Sequence, residues 1–259
     1  MVNERRMHIT RRHFGAIAGG ALASLAFGNA CRRSSGSDIP NDGRLTARPH
    51  ANVKASAIGE IMLGLDRARD AILRLPTTTT SAPVPLLVLF HGASQSAEDI
   101  LRYLGSAFEE AGVAVLAPNS RGYSWDAISD SFGPDVTFVN RAIERVFDTV
   151  AVDPLRVAVG GFSDGATYAL SLGLINGDLF SRVVAFSPGF VVDGTPHGKP
   201  RFFISHGTAD PILPIDKCSR LIVSRLKKQG YDVTFREFDG KHEVPANIAS
   251  DGMRWVAHA

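Results

Sequence analysis

Leu155-Arg156-Val157-Ala158-Val159-Gly160 leads directly into Gly161-Phe162-Ser163-Asp164-Gly165, a sequence typical of a strand that ends in a sharp turn before a helix. The apolar run predicts a buried strand, and a helix-like segment from Ala166 to Leu174 follows the turn. A serine at such a junction takes a strained backbone conformation that holds its hydroxyl clear of the chain, and small flanking residues let strand and helix approach closely. The pentapeptide also occurs by chance in many proteins, so the predicted strand and helix around it are what favour Ser163 as a nucleophile.

A serine hydroxyl is a weak nucleophile at neutral pH, so this interpretation requires a histidine base and an acid further along the chain. Asp210 follows the predicted strand Arg201 to Ser205, and His242 follows the predicted strand Tyr231 to Phe238. Since the carboxyl ends of parallel strands meet at one edge of a sheet, Ser163, Asp210 and His242 are expected to converge there. The chain order serine, acid, histidine is typical of triads built around such a turn.

Other acids and histidines are weaker candidates. Asp239 is the rival acid, but it lies only three residues before His242 and would have to fold back on the same loop. His91 and His206 each precede a glycine at a strand end, where we expect a histidine to pack and hydrogen-bond locally rather than titrate. The other histidines lie in polar loops or near the chain ends.

An acyl-transfer intermediate also needs amide donors for its oxyanion. One is expected from the backbone of Asp164, at the start of the helix that follows the serine. The other is expected from the loop after Pro85 to Phe90, where Gly92 allows a tight turn that leaves the amide of Ala93 or Ser94 facing the substrate. Because Pro85 to Phe90 is apolar throughout, it is predicted to be a central strand covered on both faces.

These motifs resemble those of the α/β-hydrolase fold and, within it, the phospholipase/carboxylesterase and polyhydroxybutyrate-depolymerase-like esterases. The resemblance covers residues 55 to the end and is carried by four blocks of sequence: Leu89-Phe90-His91-Gly92, Gly160 to Gly165, His206-Gly207-Thr208-Ala209-Asp210-Pro211-Ile212-Leu213-Pro214, and His242-Glu243-Val244-Pro245. It implies a serine esterase. The chain departs from the usual pattern at Asp164, where glutamine is common, and the departure bears on acyl-group preference.

The rest of the chain alternates strands and helices, which predicts a mostly parallel sheet flanked by helices. An antiparallel hairpin is expected first, from Ile58 to Leu75. Further helices and strands are expected at Ser96 to Ala111, Val113 to Leu116, Val139 to Val150, Val183 to Phe186, Pro214 to Gln229 and Val244 to Val256. The connection between Ser187 and Arg201 is too short for a helical lid domain, so the site is expected to be open.

The loop after the predicted strand Val113 to Ala117 contains three aromatic residues, Tyr123, Trp125 and Phe132. They are candidates for an apolar wall against the alcohol or acyl group of a substrate. Packing on the helix below is an equally good interpretation of the same residues.

The first 30 residues predict an export signal rather than part of the core. Arg11 and Arg12 precede a short Ala- and Gly-rich apolar run that ends in Gly28-Asn29-Ala30, a pattern typical of a twin-arginine signal peptide. A membrane span is the competing interpretation, but residues 14–30 are short and polar for one. The predicted organisation is therefore a signal peptide at 1–30, a linker at 31–54 and a catalytic domain at 55–259.

Cys31 directly follows the small residues and is a candidate for lipidation, although Gly28 stands where a lipobox usually carries leucine. The other cysteine, Cys218, is predicted to be a buried apolar residue, and nothing in the sequence supports a disulfide between the two.

The charge balance and the motifs missing from the sequence argue against several classes of partner and cofactor. The first 33 residues hold six arginines and one glutamate, so the remainder carries 22 basic and 25 acidic residues. This near-neutral balance argues against nucleic acid as a partner. The sequence has no metal-ligand spacing, phosphate-binding glycine loop or dinucleotide fingerprint, so neither a metal nor another cofactor is expected.

The sequence therefore predicts an exported serine esterase that acts on short-chain or polymer-linked esters. A thioesterase, a peptidase or an acyltransferase would share the same residues. A non-catalytic binding module on the same fold is the alternative from another class, but such a module has no need for serine, acid and histidine in this order.

Overall fold

A computed structural model describes residues 42–50, 59–77 and 82–258. The predicted signal peptide and the candidate lipidation site Cys31 lie outside the described residues.

The centre of the molecule is an eight-stranded sheet with the order β1-β2-β4-β3-β5-β6-β7-β8. Strands β1 and β2 are antiparallel to their neighbours, and all other pairs are parallel. The strands are β1 Gly59–Met62, β2 Ala71–Leu75, β3 Val84–Phe90, β4 Ala114–Pro118, β5 Val152–Phe162, β6 Arg182–Phe186, β7 Arg201–Gly207 and β8 Val233–Phe238. The predicted opening hairpin and the mostly parallel sheet are thus confirmed.

Helices cover both faces of the sheet. They are α1 Ala97–Leu104, α2 Ala107–Glu110, α3 Asp126–Ser129, α4 Pro134–Thr149, α5 Asp164–Ile175, α6 Ser219–Lys228 and α7 Ala246–Ala257. Buried side chains of α4, α5 and α6 form one core cluster, whereas those of α1, α2 and α7 form the other. Strand β3 contributes Leu86 and Val88 to the first cluster and Leu87 and Leu89 to the second, which confirms the prediction of a strand covered on both faces.

Three helices differ from their predicted bounds by more than a shift of one or two residues at the ends. The helix expected over 96–111 is split into α1 and α2, because α1 ends just before Gly105, whose φ is +52°. The helix expected from Val139 begins earlier, at Pro134, since proline suits the first turn of a helix, where its missing amide is not needed. The helix expected from Pro214 starts with a 3₁₀ turn at Ile215–Lys217 before α6.

Part of the stretch predicted as a linker, residues 42–50, packs on the catalytic domain. Leu45 and Ala47 are buried in the same cluster as α4 and α5. The Oδ1 of Asn140 accepts from the amides of Thr46 and Ala47, and that of Asn176 accepts from the amide of Leu45. These residues therefore pack as part of the domain. The sequence did not indicate this packing, because the segment is short and polar and buries only two apolar side chains, Leu45 and Ala47.

The described residues between Phe186 and Arg201 contain no helix. The prediction that no sizeable lid is inserted at this connection is confirmed. The carboxyl end of the sheet, where Ser163, Asp210 and His242 were expected, is accordingly not covered by a lid domain from this connection.

Candidate active site

Ser163 occupies the turn between β5 and α5 with φ +56° and ψ −120°. A positive φ is unfavourable for a residue with a side chain and is maintained only where the surrounding structure enforces it. Here the amide of Ser163 donates to the carbonyl of Phe186 on the neighbouring strand, at 3.0 Å. The turn is also crowded: a Cβ on Gly161 would lie 2.3 Å from the carbonyl oxygen of Gly165, and one on Gly165 would lie 2.2 Å from that of Phe90. Only glycine fits at both flanking positions.

His242 and Asp210 meet Ser163 at this edge of the sheet, as the sequence predicted. The Nε2 of His242 lies 2.9 Å from the Oγ of Ser163, and its Nδ1 lies 2.6 Å from the Oδ2 of Asp210. The ring of His242 also packs on that of Phe162, with 4.7 Å between centroids. A histidine held in this way can accept a proton from the serine hydroxyl while the carboxylate fixes its tautomer.

Backbone amides hold the carboxylate of Asp210 in place. Its Oδ1 accepts from the amides of Ile212 and Leu213 at 2.8 and 2.9 Å, and its side chain is fully buried. Burial opposes the charged form, but the bonds from Leu213, His242 and Ile212 outweigh burial and lower the pKa of Asp210 below its ordinary value. The rival acid Asp239 is exposed and makes no hydrogen bond to His242.

Of the two amides considered for the oxyanion loop, only that of Ala93 is available. The amide of Ser94 donates to the carbonyl of Tyr123 at 2.8 Å, so the prediction for Ser94 is wrong. Within the described residues the amides of Ala93 and Asp164 have no hydrogen-bond partner. The side chain of Gln95 stabilises the loop after β3, because its Oε1 accepts a hydrogen bond from the amide of Gly92 at 2.9 Å.

The aromatic wall predicted from the loop after β4 is wrong for two of its three residues. Trp125 is 1% exposed and packs against Phe90 and Tyr168, while its Nε1 donates to the carbonyl of His91. Phe132 is also buried and packs on Tyr168. Both rings pack on Tyr168 of α5, which is the packing alternative.

Tyr123 is 74% exposed and lines a cleft of about 450 Å³ beside the serine turn. Ser124 and Asp164 line the same cleft, and the Oγ of Ser124 donates to the Oδ2 of Asp164 at 2.5 Å. Asp164 thus has its backbone next to Ser163 and its carboxylate at the cleft. Sequence reasoning missed Ser124, since nothing in the sequence pairs it with a residue 40 positions away.

His91 and His206 are fully buried and hydrogen-bonded, as expected from their positions before glycines. The Nε2 of His91 accepts from the amide of Ser120, and its Nδ1 lies 2.8 Å from the carbonyl oxygen of Gly92. Burial lowers the pKa of both histidines, so both are neutral near pH 7. Both ring nitrogens of His91 therefore lie against backbone groups, and the ring is not exposed at the surface.

The part of the chain that the structure describes contains neither a metal-binding cluster nor a helix that could span a membrane. No three histidine, cysteine, aspartate or glutamate side chains in these ranges are grouped so as to hold a metal ion. None of the helices in the same ranges has the length and apolarity needed to cross a bilayer. Cys218 is buried there, as expected for a small apolar residue.

A model of the phospholipase/carboxylesterase family matches residues 124–256, which is just over half of the chain. The matched region runs from the loop before α3 into α7 and includes Ser163, Asp210 and His242. It therefore carries three of the four sequence blocks on which the resemblance was based.

Curated relatives agree with this match. The chain is 27% identical over 183 residues to a putative esterase, NocK, of Nocardia uniformis subsp. tsuyamanensis, and the alignment covers 66% of this chain and 53% of the relative. It is 31% identical over 124 residues to a probable feruloyl esterase C of Aspergillus niger, covering 47% of this chain and 44% of the relative. The chain thus spans about half the length of these curated relatives.

Solved structures share the fold. An S-formylglutathione hydrolase from Staphylococcus aureus superposes with a TM-score of 0.64 at 18% identity, covering 80% of this chain and the whole of that one. At this identity the likeness concerns the fold, and it confirms the expected architecture of a mostly parallel sheet flanked by helices.

Proposed function

Because the chain belongs to the phospholipase/carboxylesterase family of α/β-hydrolases, we propose that it is a carboxylic ester hydrolase that works through an acyl-enzyme on Ser163. The observation that carries this proposal is the continuous hydrogen-bonded series from Ser163 through His242 to Asp210, anchored on a serine with φ +56°. Such strain at a surface turn is retained where function requires it.

In the proposed mechanism the Oγ of Ser163 attacks the ester carbonyl while the Nε2 of His242 takes its proton. The amides of Ala93 and Asp164 stabilise the oxyanion of the tetrahedral intermediate, and Asp210 stabilises the imidazolium. The alcohol leaves with the proton from His242. Water then attacks the acyl-enzyme, His242 accepting and returning a proton once more, and the acid is released.

The open site favours short acyl groups or esters attached to polymers over long-chain lipids. With no helical lid between β6 and β7 in the described chain, no apolar face of a lid is available there to bury a long acyl chain. The cleft beside Asp164 instead offers an exposed tyrosine ring and polar oxygens. A similarity to feruloyl esterase C makes aromatic acyl esters of a polymer alcohol one substrate group to test.

The proposal is tested with p-nitrophenyl esters of increasing acyl length, methyl ferulate, and a matched thioester of the best acyl group. We expect p-nitrophenyl acetate or butyrate to be hydrolysed with a kcat/KM at least tenfold above the longer esters. Ser163→Ala is the control and should lose roughly 10³-fold or more of the activity while remaining folded. Activity retained in Ser163→Ala would overturn the proposal.

The same panel, extended by the corresponding amide, an added alcohol and a fluorophosphonate probe, separates the alternatives. A thioesterase would prefer the thioester, a peptidase would cleave the corresponding amide, and an acyltransferase would deliver the acyl group to an added alcohol rather than to water. A binding module would hydrolyse none of them and would not react with a fluorophosphonate.

We also propose that the enzyme is exported, which rests on Arg11, Arg12 and the Ala/Gly-rich run after them. Replacing both arginines with lysine keeps the charge but removes the guanidinium groups that a receptor would recognise, so export should stop. The mass of the exported protein's N-terminus then distinguishes a lipid-modified Cys31 from a plain one. Efficient export of the lysine variant would contradict the proposal.

A further inference from the structure

A second histidine, His206, lies directly behind the acid of the site. It stands near the end of β7 with its side chain fully buried. Its Nδ1 lies 2.7 Å from the Oγ of Ser219, and its Nε2 lies 2.7 Å from the carbonyl oxygen of Leu213 and 3.1 Å from the Oδ2 of Asp210. Every polar atom of the ring therefore has a protein partner.

These contacts determine the tautomer of His206. The carbonyl of Leu213 and the carboxylate of Asp210 only accept hydrogen bonds, so the Nε2 that faces both must carry a proton. Burial lowers the pKa of His206 and keeps the ring neutral, which leaves a lone pair on Nδ1. The hydroxyl of Ser219 then donates to Nδ1. Ser219 thereby completes the hydrogen bonding of the ring and holds it in this orientation.

His206 holds the acid loop at two points. Its Nε2–H bonds the carbonyl of Leu213, whose own amide donates to the Oδ1 of Asp210. The same Nε2–H faces the Oδ2 of Asp210, the oxygen that accepts from the Nδ1 of His242 at 2.6 Å. A shift of Leu213 or of Asp210 would change the orientation of His242 toward Ser163.

We propose that His206 is a positioning residue for the reaction on Ser163: its Nε2–H bonds the Leu213 carbonyl and contacts the Asp210 carboxylate, and through both it holds the ring of His242 in place. The inference rests on the proposed esterase function. It assigns a role to the histidine of the His206–Pro214 block, and it gives the buried Ser219 a role as the hydrogen-bond partner that orients the His206 ring.

The test compares two amide substitutions that place a donor at different ring positions. In His206→Gln the side-chain amide reaches the position of Nε2, whereas in His206→Asn it reaches only that of Nδ1. We expect the glutamine variant to stay within about fivefold of the unsubstituted protein in the rate of fluorophosphonate labelling of Ser163 and in kcat. The asparagine variant should fall by roughly 10- to 100-fold in both, with KM unchanged.

A spectroscopic signature accompanies the rates. The low-field proton resonance of His242 Nδ1–H, bonded to Asp210, should persist in His206→Gln and should broaden or shift in His206→Asn. Ser219→Ala leaves His206 in place but removes the partner of Nδ1, so it should lower the labelling rate by about three- to tenfold. This third variant keeps the proposal testable if a histidine substitution prevents folding, which thermal unfolding of each variant reports.

Equal rates in His206→Gln and His206→Asn, or an unchanged rate in Ser219→Ala, would overturn the proposal. Failure of the esterase function is a separate result: in that case the unsubstituted protein itself does not react with the fluorophosphonate. If it reacts and the folded variants do not differ as described, only the role of His206 is refuted.

Discussion

Replacing Asp210 by asparagine tests the acid of the site without changing its shape. The Oδ1 of Asp210 accepts two backbone amides, while the Oδ2 faces the Nδ1 of His242. An asparagine has one oxygen and one NH₂ group for these two positions. The outcome depends on which group faces His242.

The structure decides the orientation. If the NH₂ faced the amides of Ile212 and Leu213, both amides would lose their acceptor, at a cost of about 1–3 kcal/mol each. The oxygen therefore remains on the amides, and the NH₂ faces His242, whose ring can change its tautomer, while the Nε2–H of His206 keeps its bond to the carbonyl of Leu213. A donor at this position requires His242 to carry its proton on Nε2, where it cannot accept the proton of Ser163. The acylation rate should then fall by roughly 10³- to 10⁴-fold, or about 4–5.5 kcal/mol in activation free energy.

The assay is single-turnover acylation with p-nitrophenyl acetate, followed as p-nitrophenolate release. Asp239→Asn is the matched control, because Asp239 is an exposed acid on the same loop as His242. Its rate should stay within about threefold of the unsubstituted protein. A loss of less than tenfold in Asp210→Asn, or a larger loss in Asp239→Asn, would refute the reasoning about the tautomer.

Two further predictions concern stability. Burial raises the pKa of Asp135 to about 6, so the folded state holds this proton more tightly than the unfolded state and loses stability as the pH rises from about 4 to about 6. The free energy of unfolding is measured with urea for the unsubstituted protein and for Asp135→Asn. The difference between the two should fall by on the order of 3 kcal/mol across this pH range. A difference that stays constant or rises with pH would contradict the assignment. Asn176→Ala removes the side chain that bonds the amide of Leu45 and the carbonyl of Gly43, so unfolding free energy should drop by about 2–4 kcal/mol with kcat unchanged. An unchanged stability would show that residues 42–50 are not an integral part of the domain.

The sequence was sufficient to predict the residues that the structure brings together at the serine turn. Each of Ser163, Asp210 and His242 follows a strongly apolar or alternating strand, and in a parallel sheet the ends of such strands share one edge. The conformation of Ser163 was equally predictable, because the steric demands of the turn are met by glycines adjacent in sequence.

The sequence did not predict features in which residues distant in sequence compete to form a hydrogen bond or a packing contact. Ser94 was one of two equivalent amide candidates, and only the position of the Tyr123 carbonyl removes it. Trp125 and Phe132 have the composition of a substrate wall, yet contact with Tyr168 on α5 buries both. Their burial depends on contact with Tyr168, which is distant from the loop in sequence. No local sequence pattern in the loop indicates that contact.

The central claim is that Ser163 forms an acyl-enzyme. It is tested most directly by mixing the protein with p-nitrophenyl acetate, quenching in acid within the first turnover, and locating the acetyl group by peptide mass spectrometry. We expect an acetyl group on the peptide that contains Ser163, formed at the rate of the p-nitrophenolate burst and missing in Ser163→Ala. Hydrolysis with no acetylated peptide, or an acetyl group on another residue that persists in Ser163→Ala, would contradict it.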